Sequence, residues 1–279
     1  MEHKKIKTKS VIYTVLVLLG GFIMIYPLIW MVMSSFKENN EIFSDASSLI
    51  PSHFKFENYS NGWAGFAGIS FSVFFRNSFI ISIIGTIGAV FSSAVVAFGF
   101  ARTRFRSRAF WFVCMLITMM LPFQIIMIPL YIELHIVGIL NTFVGLILPR
   151  ITSAYGIYFM RSFFTGLPKE LQEAARIDGM GEFGIFWRIM LPLCKPAFLT
   201  FFIFCLTSNW NDLLYPMMMT SSSDMRTLPA GLAMFVGEGV RETGPALAGA
   251  LISMLPLLVL YCVAQKYFVE GIAVSGMKG

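Results

Sequence analysis

Four stretches of this sequence carry no aspartate, glutamate, lysine or arginine: Ser10–Phe36, Asn77–Ala101, Ala109–Ile132 and Thr243–Gln265. A helix needs about 20 apolar residues to cross the hydrocarbon core of a bilayer, and each run is long enough. Backbone polar groups in hydrocarbon must pair inside the protein, which leaves helices as the natural spanning form for such runs. Two further segments are less clean. Ile136–Met160 is interrupted by Pro149-Arg150, and Pro196–Tyr215 is shorter, with Asp212 near its end. The fold class predicted is an all-α membrane protein with six transmembrane helices. Only 13% of the residues are charged, against about 25% in soluble domains.

Lysine and arginine set the direction. With the N-terminus inside, the cytoplasmic segments hold Lys4, Lys5, Lys7 and Lys9, then Arg102, Arg104, Arg106 and Arg108. They also hold Arg161, Lys169, Arg176, Arg188, Lys195, Lys266 and Lys278, while the outer loops hold Lys37, Lys55, Arg76, Arg226 and Arg241. That asymmetry predicts cytoplasmic N- and C-termini. It also accounts for the net charge of +6 without a nucleic-acid partner. The first apolar run exceeds the roughly 7–15 residues of a signal-peptide core and lacks a small-residue cleavage site, so an uncleaved first span is expected. The cysteines stand apart, with no CxxC, and the histidines show no metal-ligand spacing. No metal site and no catalytic set is expected.

The segment 166–195 is the longest cytoplasmic connection. Pro168 stands where a helix should begin and Gly179 just past its end, the usual punctuation of a short helix. Leu167, Leu171, Ala174 and Ala175 fall on one face of it. Lys169–Glu173 and Glu173–Arg176 have ion-pair spacing. A second short helix, Glu182 to Met190, should stop before Pro192. An amphipathic pair between two spans either lies on the lipid surface or docks into a partner, and the pattern alone leaves both open.

Glu173-Ala174-Ala175, three residues, Gly179, nine residues and then Ile189-Met190-Leu191-Pro192 resembles the EAA-loop signature of permease subunits of binding-protein-dependent ABC importers. The resemblance implies that this short helix is a coupling helix between spans 4 and 5, seated in a cleft of the ATPase subunit. The implied coupling residues are Glu173, Ala174, Ala175, Asp178 and Gly179. Asn209-Trp210-Asn211-Asp212 with Leu213-Leu214-Tyr215-Pro216, and Arg226-Thr227-Leu228-Pro229, look like the carbohydrate-uptake branch. So does the ending from Gln265 to Gly279. The chain is similar to the smaller permease of maltose-type transporters, whose tail reaches the ATPase dimer; here that is Ser275, Gly276, Met277, Lys278 and Gly279. The implied partners are a second related permease, two ATP-binding subunits, an extracytoplasmic sugar-binding protein and membrane lipid. ATP and Mg belong to the partner ATPase, with no cofactor on this chain. The implied location is a prokaryotic cytoplasmic membrane. The resemblance divides the chain into 1–73 (first span and outer loop), 74–268 (permease core) and 269–279 (cytoplasmic tail).

No GxxxxGK[ST] occurs, so the chain is not the ATPase. An ion-driven secondary transporter would carry several intramembrane ionisable groups. Here only Arg150 and Asp212 qualify, and the alternatives kept are such a transporter or an ABC permease for a non-sugar solute. Counted from Gly138 at 1.5 Å per residue, Arg150 should lie roughly 18 Å deep. It either meets an acidic sugar or pairs with a carbonyl freed by Pro149 or with a partner permease. Asn209, Trp210, Asn211 and Tyr215 complete the expected substrate path. Amides with aromatic rings suit a sugar, and polar groups also serve as glue between helices. Asp212 is expected to cap or pair.

Overall fold

The computed structural model describes residues 8–65, 68–237 and 242–276. In chain order the helices are α1 (Thr8–Ser34), α2 (Asn39–Ser44), α3 (Glu57–Ala64), α4 (Phe71–Arg102), α5 (Arg108–Met120), α6 (Phe123–Val137) and α7 (Phe143–Ile147). After the 3₁₀ turn Leu148–Arg150 come α8 (Ala154–Gly166), α9 (Glu170–Ile177) and α10 (Glu182–Ile185). A π turn, Phe186–Met190, leads to α11 (Leu191–Leu193), α12 (Lys195–Asn211), α13 (Leu214–Met219), α14 (Leu228–Gly237) and α15 (Thr243–Gly276). No strand occurs among the described residues.

Among the described residues, four spans are long and apolar enough to cross a membrane: Ile12–Ser34, Phe71–Arg102, Phe143–Gly166 and Thr243–Gln265. Two more positions are bent pairs. Arg108–Met120 and Phe123–Val137 meet at 101°, and Glu182–Leu193 and Lys195–Asn211 at 79°. The third apolar run is thus not one straight helix. Leu121, forced out of the helical region by the next residue, a proline, is extended at ψ 122°, and the chain turns there. The fourth span starts at Phe143 rather than Ile136, because α6 runs on to Val137 and ends on Gly138 at φ +76°. The fifth ends at Asn211, leaving Tyr215 on α13.

The chain packs as two compact units, residues 1–71 with 232–254 and residues 72–231 with 255–279. In the first, the connection that follows α1 is a built structure. Lys37 is fully buried and donates to the carbonyls of Asp45 (3.0 Å) and Ser48 (2.6 Å). Asn58 donates to Ser35 and Lys37 carbonyls, each at 2.9 Å, and Asn39 accepts from the Gly244 amide at 2.8 Å. A buried cation without hydrogen bonds would be prohibitive, so Lys37 dictates how the chain after α1 must fold over it.

In the second unit, α4 supplies a seam of small residues. Gly85 and Gly88 face Arg150 and Ile151, where an added Cβ would stand 3.4 and 2.8 Å from their side-chain carbons. About one turn on from Gly88, the Ser92 hydroxyl donates to the Ile151 carbonyl and that of Ser93 to the Ser153 carbonyl. Small residues let helix backbones approach closely, and hydroxyls add bonds across the contact. Gly156 on α8 sits as tightly: its Cβ would lie 2.1 Å from Phe201 and 2.5 Å from Ser93 Oγ. Overpacking of this kind costs about 1–3 kcal/mol. Gly156→Ala is therefore expected to lower the thermal stability of the detergent-solubilised protein, whereas Gly21→Ala, with nothing within 4 Å, should leave it unchanged.

Candidate functional site

Two places gather the sequence-predicted residues, both in the second unit. The first is the connection 166–195. Pro168 precedes α9, whose first turn forms as the amides of Gln172 and Glu173 bond the Lys169 carbonyl. At the other end Gly179 stands at φ +78°. Its amide bonds Arg176, and that of Met180 bonds Ala175, at 3.0 and 2.9 Å. This is the paired closure that a left-handed residue after a helix allows, and it makes glycine the low-cost choice there.

The face grouped by spacing is divided in the structure. Gln172 and Ala175 are inside, while Leu171, Ala174 and Ile177 are exposed. The ion pairs differ as well. Arg176 binds Glu182 at 2.5 Å, and Gln172 donates to the other oxygen of the same carboxylate at 3.1 Å. These contacts clamp α9 to α10. Beyond the clamp, Ile185, Phe186 and Met190 enter the core with Phe98, Phe164 and Phe201. The second short helix does not stop at Met190. A π turn precedes Pro192, the Leu191 amide reaching back to Phe186, and the helix carries on through α11 to Leu193. Arg102 fixes the near end of the loop, donating from Nε to the Phe164 carbonyl at 2.9 Å and from Nη2 to the Leu167 carbonyl at 2.5 Å. A cation at a helix C-terminus satisfies free carbonyls and opposes the dipole.

The second place surrounds Arg150. Pro149 lacks an N–H and so takes the helical donor from the Gly145 carbonyl four residues back. Tyr215 Oη fills the Gly145 carbonyl at 2.5 Å, and Arg150 Nε fills that of Leu146 at 3.1 Å. Arg150 then donates from Nη1 to Asn209 Oδ1 at 2.7 Å and from Nη2 to Asp212 Oδ2 at 2.6 Å. Its Cζ lies 5.0 Å from the Tyr215 ring centroid, a cation–π contact. Asn209 is oriented in turn by donating to Thr86 at 3.1 Å. An arginine at the centre of a span costs about 2.5–3.5 kcal/mol on the insertion scale. A typical interhelical hydrogen bond returns about 0.6 kcal/mol, so the carboxylate is the decisive partner. Because α6 ends at Gly138 and α7 starts at Phe143, the depth counted from Gly138 is too large; along the helix from Phe143 it is about 10 Å.

Of the other expected path residues, Trp210 is buried against Phe75 and Phe79, at centroid distances of 5.6 and 6.1 Å. Asn211 is exposed and donates to its own helix at Thr207. Ser275 and Gly276 close α15, and Met277, Lys278 and Gly279 lie outside the described residues. Sequence reasoning missed Thr86 and Phe123. It named Arg150 and Asp212 as the two intramembrane ionisable groups, and their opposite signs were the available signal for pairing them.

Residues 89–273 match the family of binding-protein-dependent transport system inner membrane components. The chain belongs to this family. It is 40% identical to a probable ABC transporter permease protein, YurM, of Bacillus subtilis, over 91% of this chain and 84% of that one. It is 36% identical to the arabinooligosaccharides transport system permease protein AraQ of Halalkalibacterium halodurans, over 93% of each. The fold is that of a chain in the crystal structure of a bacterial ABC transporter involved in the import of the acidic polysaccharide alginate. The TM-score is 0.80 at 21% identity, over 96% of this chain and 99% of that one. The chain is a permease subunit of an ABC transporter, and ATP hydrolysis is the work of partner subunits.

The permease's polar network makes a quantitative demand. Truncating one member of a paired charge strands the other, so Arg150→Ala should destabilise more than Arg150→Ala with Asp212→Ala. A coupling of about 1–3 kcal/mol is expected from the cycle of unfolding measurements in detergent, and simple additivity would contradict the pair.

Proposed function

We propose that this chain is one membrane half of an ATP-driven importer of sugars or oligosaccharides, working by alternating access with a second related permease. An extracytoplasmic binding protein delivers the sugar and two ATP-binding subunits supply the energy. The sugar reading rests on relatives such as AraQ and the diacetylchitobiose uptake system permease protein NgcG of Streptomyces coelicolor, 34% identical over 90% of this chain and 83% of that one. A relative in sn-glycerol-3-phosphate transport, UgpE of Yersinia pestis, is 30% identical over 94% of this chain and 95% of that one. It keeps a non-sugar solute as the second reading. An anion would favour an unpaired cation, however, and Arg150 already holds Asp212.

In this proposal both termini are cytoplasmic, the host is prokaryotic and the membrane is the cytoplasmic one. Residues 1–73 form the first span and outer loop, 74–268 the permease core, and 269–279 a tail toward the ATPase. The coupling helix is α9, with Glu173, Ala174, Ala175, Asp178 and Gly179 as its functional residues. What supports this most is the apolar surface that the clamp leaves outward: Ile177 is 86% and Phe183 73% exposed. Such side chains on a rigid loop fit a groove in a partner.

Two experiments test the proposal. Vesicles holding the whole assembly should take up sugar only with ATP and the binding protein; ion-driven uptake by this chain alone would overturn it. Gly179→Val places a β-branched residue in the left-handed region, at a cost of about 1–2 kcal/mol or more. No neighbour lies within 4 Å of the added Cβ, so the effect is confined to the turn. Uptake should fall sharply while membrane insertion, read by surface labelling, stays normal; full uptake would remove α9 from the coupling role.

A further inference from the structure

Beside the Arg150 pair lies a cleft lined by Phe123, Pro149, Arg150, Asp212 and Tyr215. Its groups are unequally available. Tyr215 is buried, with its ring under the guanidinium and its hydroxyl on the Gly145 carbonyl. Phe123, edge-to-face with Tyr215 at 6.0 Å, is 43% exposed and offers the usable ring. Arg150 donates from Nε and both terminal nitrogens, and its side chain is 10% exposed against 26% for Asp212. Asp212 Oδ2 is taken by Arg150, whereas Oδ1 receives only a 3.4 Å contact from the Tyr215 amide. The cleft thus presents an aromatic face and a carboxylate acceptor, with its cation held behind them.

We infer that this cleft is a subsite for one ring of an uncharged sugar, and that Asp212 sets its selectivity against anionic ones. A sugar stacks its C–H face on Phe123 and donates a hydroxyl to Asp212 Oδ1. A uronate or phosphate must bring its charge beside that carboxylate before it can reach Arg150, a like-charge approach that interfaces use to reject wrong partners. The inference rests on the sugar reading of the chain and narrows it to neutral oligosaccharides.

The test is saturation-transfer NMR on the complete transporter in lipid nanodiscs, with the binding protein left out so that only the membrane path is read. The probes are arabinotriose, which is neutral, and trigalacturonate, which is acidic. The wild type should favour arabinotriose by about tenfold or more, and Asp212→Asn, which leaves Arg150 uncompensated, should raise the trigalacturonate signal by about tenfold. A wild type that binds both equally or prefers the acid overturns the inference, as does an assembled Asp212→Asn transporter with an unchanged ratio. Should Asp212→Asn fail to assemble, Phe123→Ala decides, since it leaves the ion pair intact: loss of the arabinotriose signal supports the subsite and an unchanged signal overturns it. If the wild type with its binding protein and ATP imports neither sugar, the sugar reading fails and takes the subsite with it. Import of arabinotriose alongside an unmoved ratio defeats the subsite alone.

Discussion

A backbone carbonyl in hydrocarbon has no water to turn to, and much of this structure is decided by where its free carbonyls find donors. Pro149 takes the helical donor from the Gly145 carbonyl. Tyr215 supplies another, and Arg150 bonds the neighbouring Leu146 carbonyl. Once an arginine is placed there its charge needs a carboxylate, and Asp212 stands where α12 ends. The ending of α12 and the position of Tyr215 on α13 are therefore parts of one solution. The same device appears at Arg102, which serves the carbonyls at the end of α8, and at Lys37, which serves two in the connection after α1. In each case a cation takes the part that water plays in a soluble loop.

Helices in lipid gain little from hiding apolar side chains, because lipid is as apolar as they are. What holds them is close fit. The seam of α4 shows this: glycine at 85 and 88 and serine at 92 and 93 bring the irregular stretch around Ile151 against the helix and then bond its carbonyls. The first span shows the converse. The most apolar 18-residue window of Ile12–Ser34 buries none of its residues within the chain, and its large apolar side chains have lipid or another chain to meet.

The spans were legible because charge is costly in hydrocarbon and its absence over some twenty residues is hard to produce otherwise. Their breaks were not. Pro27, Pro129 and Pro256 sit inside continuous helices, while Pro122 turns the chain by 101°. A proline's effect depends on which neighbours can serve the freed carbonyls, and those lie far off in sequence. The Arg150 pair has the same difficulty, since its partners are 62 residues apart. The short helix α9 was legible only in part. Its stripe through Leu171 and Ala174 reads as a face for lipid or a partner, and both residues point out, but Ala175 of the same stripe points in beside Gln172. Amphipathicity tells which residues share a side; it does not tell whether the apolar side meets this chain or another.

The clamp of Arg176 and Gln172 on Glu182 bears on how a push delivered to α9 would travel. A flexible connector would absorb the displacement as its own deformation, and a stroke of a few ångströms would be spent before reaching the bundle. Tying α9 to α10 by one shared carboxylate, and rooting the succeeding turns in the Phe186 core, removes that slack. In the proposed coupling role the loop would behave as a bell crank of low compliance. Its output arm would be Phe186 among the aromatic rings of α4 and α8, and the gain would be set by the length of α9 rather than by the softness of its mounting.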